Sequence, residues 1–333
     1  MYKIVLEKDI DINAWGNLVE QSPVATWFQT NEAYDFFKSL SFLDEFVVAV
    51  ENDGVLKGLV VGFVQKDGGK IKQYFSRRAI INGGPLLADD ITEKELSLLL
   101  AAIKDLLKRK TIYIEFRNYN DYSRWRDVFE QNGFMYEPHY DVIVDTSSIE
   151  TLNGRLDRNR RRNIKKAVEN GIVIDKNPSN SDICAFYHML EELYKTKVKT
   201  PLYPYEFFIK MKKIPSSLFC LAKEPGGNII GGLVCVIFEG KTVYAWYACG
   251  EDGQYKKLSP SVMANYAGIC HAVENGFSRF DFMGAGKPDD GGYGVRDFKL
   301  KFGGELFEYG RFKHISSKFL YSIGVLGVKL LKK

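Results

Sequence analysis

A chain of 333 residues, 45% hydrophobic and 14% aromatic, has a globular composition, which excludes a disordered or fibrous class, and it has the length of two domains of about 150 residues each. The formal net charge is only +4 and is unevenly placed: residues 155–167 hold seven basic residues and one acid, the final stretch 313–333 holds five lysines and no acid, and the remainder is net acidic. Two basic patches on an acidic body exclude a continuous nucleic-acid track and fit a local anionic ligand.

In chain order, Phe46 to Val50, a turn at Asp53-Gly54, and Gly58 to Phe63 read as a β-hairpin. A third strand is expected at Ile71 to Phe75. Leu96, Leu99, Leu100, Ile103, Leu106 and Leu107 recur at helical spacing, and Thr111 to Phe116 reads as a strand. The same series then repeats. Leu218 to Ala222, a turn at Gly226-Gly-Asn228 and Gly232 to Phe238 form a second hairpin, and Thr242 to Ala248 a third strand. Val262, Tyr266, Ile269 and Val273 mark the helix, and Ser278 to Met283 the strand after it. Five elements in one order at nearly constant offset indicate a duplication, with the boundary near residue 150.

Between the halves lies Arg155-Leu-Asp-Arg-Asn-Arg-Arg-Arg-Asn-Ile-Lys-Lys-Ala167. With Ile164, Ala167 and Val168 on one side and Asn170-Gly171 at its end, it reads as an amphipathic helix. Arg155, Arg158, Arg162 and Lys165 or Lys166 share one face. Its partner is nucleic acid, a phosphorylated substrate, a membrane surface or water. The tail places Phe319, Leu320, Ile323, Leu326, Leu330 and Leu331 on one stripe bracketed by lysines. That is the pattern of an interfacial anchor or of a helix docked on the protein itself. Its charge-free apolar run, Phe319 to Val328, is too short to span a bilayer. The five cysteines, Cys184, Cys220, Cys235, Cys249 and Cys270, show no CxxC pair and read as reduced, cytosolic thiols. Four scattered histidines give no metal site.

The segment Asp281-Phe-Met-Gly-Ala-Gly286, then Tyr293-Gly-Val-Arg-Asp-Phe-Lys-Leu-Lys-Phe-Gly-Gly304, resembles the closing motif of the FemABX peptidyltransferases. The element order of each half resembles the GNAT N-acyltransferase domain. The resemblance covers almost the whole chain and implies an α+β fold: two tandem GNAT-like domains, each a mixed, mostly antiparallel sheet flanked by helices. The expected extents are 1–150, 151–312 opened by the basic helix, and a basic amphipathic tail at 313–333.

By the same resemblance Lys299 takes the catalytic role near the transferred acyl group, where an ammonium stabilises developing negative charge. Lys301, two residues on, is its internal control. Tyr255-Lys-Lys-Leu-Ser-Pro-Ser261 precedes the central helix of the second half but lacks the R-x-x-G-x-G loop that holds a cofactor pyrophosphate. Ser259 or Ser261 suits the cap and Pro260 the first turn. The corresponding Arg77-Arg-Ala-Ile-Ile-Asn-Gly-Gly-Pro85 also lacks it, though Arg77, Arg78 and the Gly83-Gly84 turn could receive a phosphate. Phe28-Gln29-Thr30 followed by Lys38 loosely resembles the family's early motif, in which a lysine meets the precursor's phosphates. Lys199 stands where the family carries an arginine and loses bidentate geometry. Tyr203, with Tyr205, Phe207 and Phe208, is read as a groove floor or as core. Lys256, Asp281, Tyr293 and Arg296 complete the substrate-binding candidates, beside Arg158 and Arg162 of the basic helix.

The function implied is amide formation from an aminoacyl-tRNA to an amine of a lipid- or nucleotide-linked peptidoglycan precursor, without cofactor. It would take place in the cytoplasm, with peripheral attachment at the inner face of an anionic membrane. The alternatives are an acyl-CoA-dependent N-acyltransferase acting on a small amine, amino sugar or lipid, and a non-catalytic membrane- or RNA-binding protein on the same fold.

Overall fold

The computed structural model describes residues 1–66, 68–290 and 294–332. Tyr293 and the side chains of Leu326, Leu330 and Leu331 therefore lie outside the described residues. Two units form: residues 1–139 with 309–333, and residues 140–308. The first sheet runs β1 (Tyr2–Leu6), β2 (Leu43–Asn52), β3 (Val55–Gln65), β4 (Arg78–Asn82), β6 (Tyr113–Arg117), β15 (Arg311–Ile315) and β7 (Met135–Glu137), with β5 (Leu86–Leu87) beside β3. The second runs β9 (Val173–Asp175), β10 (Ser217–Lys223), β11 (Ile229–Phe238), β12 (Thr242–Gly250), β13 (Arg279–Gly284), β8 (Tyr140–Asp145) and β14 (Glu305–Glu308). In each sheet one neighbouring pair is parallel, β4 with β6 and β12 with β13. The expected mixed, mostly antiparallel architecture is thus present in both units.

The first unit carries α1 (Ile12–Gln21), α2 (Asn31–Ser39), α3 (Lys70–Ser76), α4 (Glu93–Leu107), α5 (Arg126–Gln131) and α12 (Lys318–Lys332). The second carries α6 (Ile149–Arg155), α7 (Arg158–Glu169), α8 (Asn180–Leu193), α9 (Tyr205–Met211), α10 (Pro260–Glu274) and α11 (Gly294–Leu300). Helix α4 forms where it was expected, because a capping box starts it. The Thr92 hydroxyl accepts the Glu95 N–H, and the Glu95 carboxylate accepts the Thr92 N–H. Its stripe of Leu96, Leu99, Leu100, Ile103 and Leu107 is buried on the sheet, each side chain contributing about 1.5–3 kcal/mol of transfer free energy.

Three expectations are corrected. The units divide between His139 and Tyr140, not near residue 150, because Val142, Ile143 and Val144 of β8 are buried in the second sheet. Residues 309–333 belong to the first unit and do not form a separate tail from residue 313. Within β15, Phe312 stacks on Phe129 at 3.9 Å and is buried between β6 and β7. Finally, Ile71 to Phe75 is helix α3, and the third strand is β4. Tyr74 and Phe75 lie exposed on α3, whereas Ala79, Ile80, Ile81 and Asn82 of β4 are buried.

Candidate functional site

Strand β12 is nine residues long, yet it pairs with β13 only through Thr242, Val243 and Tyr244. On its other edge β12 stays paired with β11 to Gly250, across a bulge at Trp246. A bulge bends its strand and steepens the twist, and here it coincides with the end of the parallel pairing. In the first unit β4 pairs with β6 along its whole length, Arg78 to Asn82. The second sheet is therefore open where the first is closed.

The loop after β4 is also sealed. Gln29 Nε2 donates to the carbonyls of Gly83 and Gly84 at 3.0 and 2.8 Å, and the Tyr122 hydroxyl donates to Gly83 O at 2.9 Å. A Cβ on Gly83 would meet Thr26 and one on Gly84 would meet Tyr122, so this turn is filled by the protein itself. Arg77 lies six residues away, about 20 Å along an extended strand, so the two do not form one phosphate site. Arg78 donates to Ser76 O.

Helix α10 starts at the open end of β12. Gly250 permits the approach, since a Cβ there would lie 2.5 Å from Ser261 N. Pro260 opens the helix as expected, but neither serine caps it. Ser259 sits at φ +42° with no side-chain cap bond, and the Ser261 N–H donates to Asp252 Oδ1 at 3.2 Å. A carboxylate there complements the helix dipole. Its charge has the same sign as that of a phosphate group.

Below the opening, β13 ends in a strained turn, with Met283 at φ +52°. The buried Lys299 ammonium of α11 donates to the carbonyls of Phe282, Met283 and Gly284 at 2.8, 3.0 and 2.8 Å. Burial lowers Lys299 to about 8, although Asp141 and Asp281 hold it up. Burial raises Asp281 to about 6, against the Met283 N–H, which donates to it at 2.6 Å, and the charges of Arg279 and Lys299. Lys299 is thus the buried cation the sequence singled out. All three of its donors are engaged by backbone carbonyls, so it braces the end of β13. Lys301 is exposed, as a control should be.

Helix α7 packs against α10. It is capped by Asp157, which accepts from Asn159 N and Arg160 N. Arg158, Arg161, Arg162, Lys165 and Lys166 are exposed, so most of the expected basic face is presented. Arg155 is not part of it: it ends α6 and pairs with Glu305 at 2.6 Å. Arg160 turns inward, 7% exposed, stacked on Phe298 and Phe302 and donating to Phe298 O at 3.1 Å. It ties the basic helix to the helix that carries Lys299.

Other candidates fall outside this group. Arg296 donates to Ala285 O and Lys287 O and so braces the loop after β13. Lys256 and Lys199 are exposed, Lys199 at φ +53°. Tyr203 is core, its ring 5.0 Å from Phe207, and Phe207 and Phe208 are fully buried. In the first unit, Lys38 is engaged by Glu7 at 2.7 Å, and Arg77 lines a cavity beside the start of β4. The sequence reading missed Asp141, Asp252 and Arg160. Asp141 had a signal, an acid inside the apolar strand β8. Asp252 lies in Glu251-Asp-Gly253, which reads only as a turn.

A FemAB family model matches residues 220–326. Among solved structures, FemX superposes with a TM-score of 0.71 at 15% identity, covering 96% of this chain and 99% of its own. A tandem GNAT protein from the clavulanic acid biosynthesis pathway gives 0.61 at 9% identity over 95% and 99%. The L-PGS of Bacillus licheniformis gives 0.58 at 14% identity over 97% of both chains. No curated protein sequence is a significant match.

Proposed function

We propose, from the premise that this is a FemAB-like acyltransferase on a tandem GNAT-like fold, that the second unit moves an aminoacyl group from an aminoacyl-tRNA to an amine of a lipid- or nucleotide-linked cell-wall precursor. The observation that carries the donor assignment is Asp252. Its carboxylate takes the Ser261 N–H at the start of α10, which favours a donor that brings no diphosphate to that helix end. The exposed arginines of α7, packed beside α10, supply the electrostatics for an RNA backbone instead. An aminoacyl-tRNA donor makes the reaction cytoplasmic and requires no cofactor.

In the reaction the acceptor amine attacks the ester carbonyl, the C–N bond forms and the C–O bond to the ribose breaks. The amine gives up a proton and the ribose oxygen takes one. Lys299 acts through position and field: it holds three carbonyls at the floor of the opening, and its charge is little screened where water is excluded. The test is transfer to a lipid-linked precursor from charged tRNA or from acetyl-CoA, with and without ribonuclease. RNase-sensitive transfer from tRNA is expected. Transfer from acetyl-CoA that survives ribonuclease would overturn the donor assignment.

A further inference from the structure

The geometry points to a second binding site, in the first unit, for the phosphate headgroup of an anionic phospholipid in a bilayer. It does not depend on the acyl-transfer reading. A cavity of about 610 Å³ opens at the edge where β2 and β4 begin and α4 ends. Arg77, Arg109, Lys110 and Lys66 line it, over an apolar floor that includes Phe46 and Leu107. Three carboxylates also line it. Glu7 is engaged by Lys38 and Asp44 by Lys66, which leaves Glu45. Among the described residues, no carboxylate pairs with Arg77, Arg109 or Lys110. Arg77 lies over the Tyr74 ring at 4.4 Å, and its Nε is buried without an acceptor, a state native proteins seldom leave unfilled. Arg109 holds φ +67°, a left-handed conformation that a glycine or asparagine would adopt with less strain.

Beside this cavity stands an apolar ledge. Arg77 directly follows α3, and α12 packs on α3. The Tyr321 ring meets Tyr113 at 5.7 Å, and the Ser316 and Ser317 N–H groups donate to Ile112 O. The ledge exposes Tyr74, Phe75, Phe319, Ile323 and Val325. Neither α3 nor α12 contains an acidic residue, and Lys318 is exposed on the ledge. Aromatic and aliphatic side chains next to Arg77, Arg109 and Lys110, cations without a carboxylate partner among the described residues, match the layering of an anionic bilayer: acyl chains for the ledge, phosphate for the cavity. A protein partner would need acids placed against the cations. A membrane presents phosphates at every position.

Sedimentation of the full chain with vesicles of phosphatidylcholine, alone or with phosphatidylglycerol, tests this. The wild-type chain should bind only the phosphatidylglycerol vesicles. The variant Arg109→Gln/Lys110→Gln changes exposed side chains and should keep the melting temperature while weakening binding roughly thirtyfold. Phe319→Ser/Ile323→Ser should abolish binding with folding unchanged. Free inorganic phosphate at millimolar concentration should not displace the protein. Equal binding to both vesicle types, wild-type affinity in the Arg109/Lys110 variant, or displacement by free phosphate would each overturn the assignment.

Discussion

Lys299 shows how much the chain reveals of one residue and how much its neighbours add. Its position after Phe298 marked it, and its burial and charge were correct, but its three donors hold backbone. Replacing it with methionine leaves three carbonyls without a donor and should cost on the order of 3 kcal/mol of stability. It should also lower kcat, whereas Lys301→Ala should do neither. Thermal melting beside steady-state kinetics separates the two variants. The pH profile follows from the same cluster. Lys299 is protonated below about 8 and Asp281 ionised above about 6, so both groups are charged together only between those values. The kcat should peak there and fall on both sides, the limbs belonging to the cluster and not to either residue alone. In Lys299→Met the alkaline limb should vanish; its persistence would assign that limb to the substrate.

At the scale of elements, β15 decides the integrity of the first unit. Its Arg311 and Lys313 meet Glu115 of β6 at 3.3 and 3.6 Å, and Arg117 joins them. Burial pushes Glu115 up, but Arg117, Arg311 and Lys313 outweigh it and hold it well below the carboxylate range. A depressed carboxyl stabilises the fold above its unfolded value of about 4.5 and loses that contribution as pH falls toward its folded value. Glu115→Gln leaves three cations together and should cost about 3–5 kcal/mol at neutral pH, with the deficit shrinking in acid. A chain ended at residue 308 lacks β15, and calorimetry should show the first unit no longer unfolding cooperatively. A chain ended at Ser317 keeps β15 and should retain that transition while losing vesicle binding. Helix α7 divides in the same spirit. Arg158→Gln/Arg162→Gln should flatten the salt dependence of tRNA binding without touching stability. Arg160→Ala should lower the melting temperature, because Arg160 is packed between two phenylalanines.

For the whole molecule, the two sheets share one strand order, but the strand next to the last is supplied differently: β15 reaches the first sheet from beyond residue 308, whereas β8 opens the second unit. Equal topology has not kept equal chemistry. The first unit fills its β4 loop with Gln29 and Tyr122, and the second leaves β12 and β13 apart. This asymmetry places the candidate chemistry in the second unit. An equivalent substitution in the first, Gln29→Ala, should reduce stability and leave the kcat of transfer unchanged, which a melt and an initial-rate assay on the same sample would resolve.

The sequence by itself determined the local elements and their repetition. The two hairpins, α4, α10 and the basic helix follow from alternation, helical spacing and caps, which act between residues a few positions apart. It also marked Lys299 and the exposed arginines of α7. Only the tertiary structure decided which sheet receives β8 and β15, since a strand of five or six residues carries too few side chains to single out one sheet by its own pattern. The same holds for Asp252 at the head of α10, for Arg160 turning inward, and for the carbonyls that consume the donors of Lys299. Each is a contact between distant segments, fixed by burial and by the need to satisfy buried polar groups, and none leaves a periodic trace in the chain.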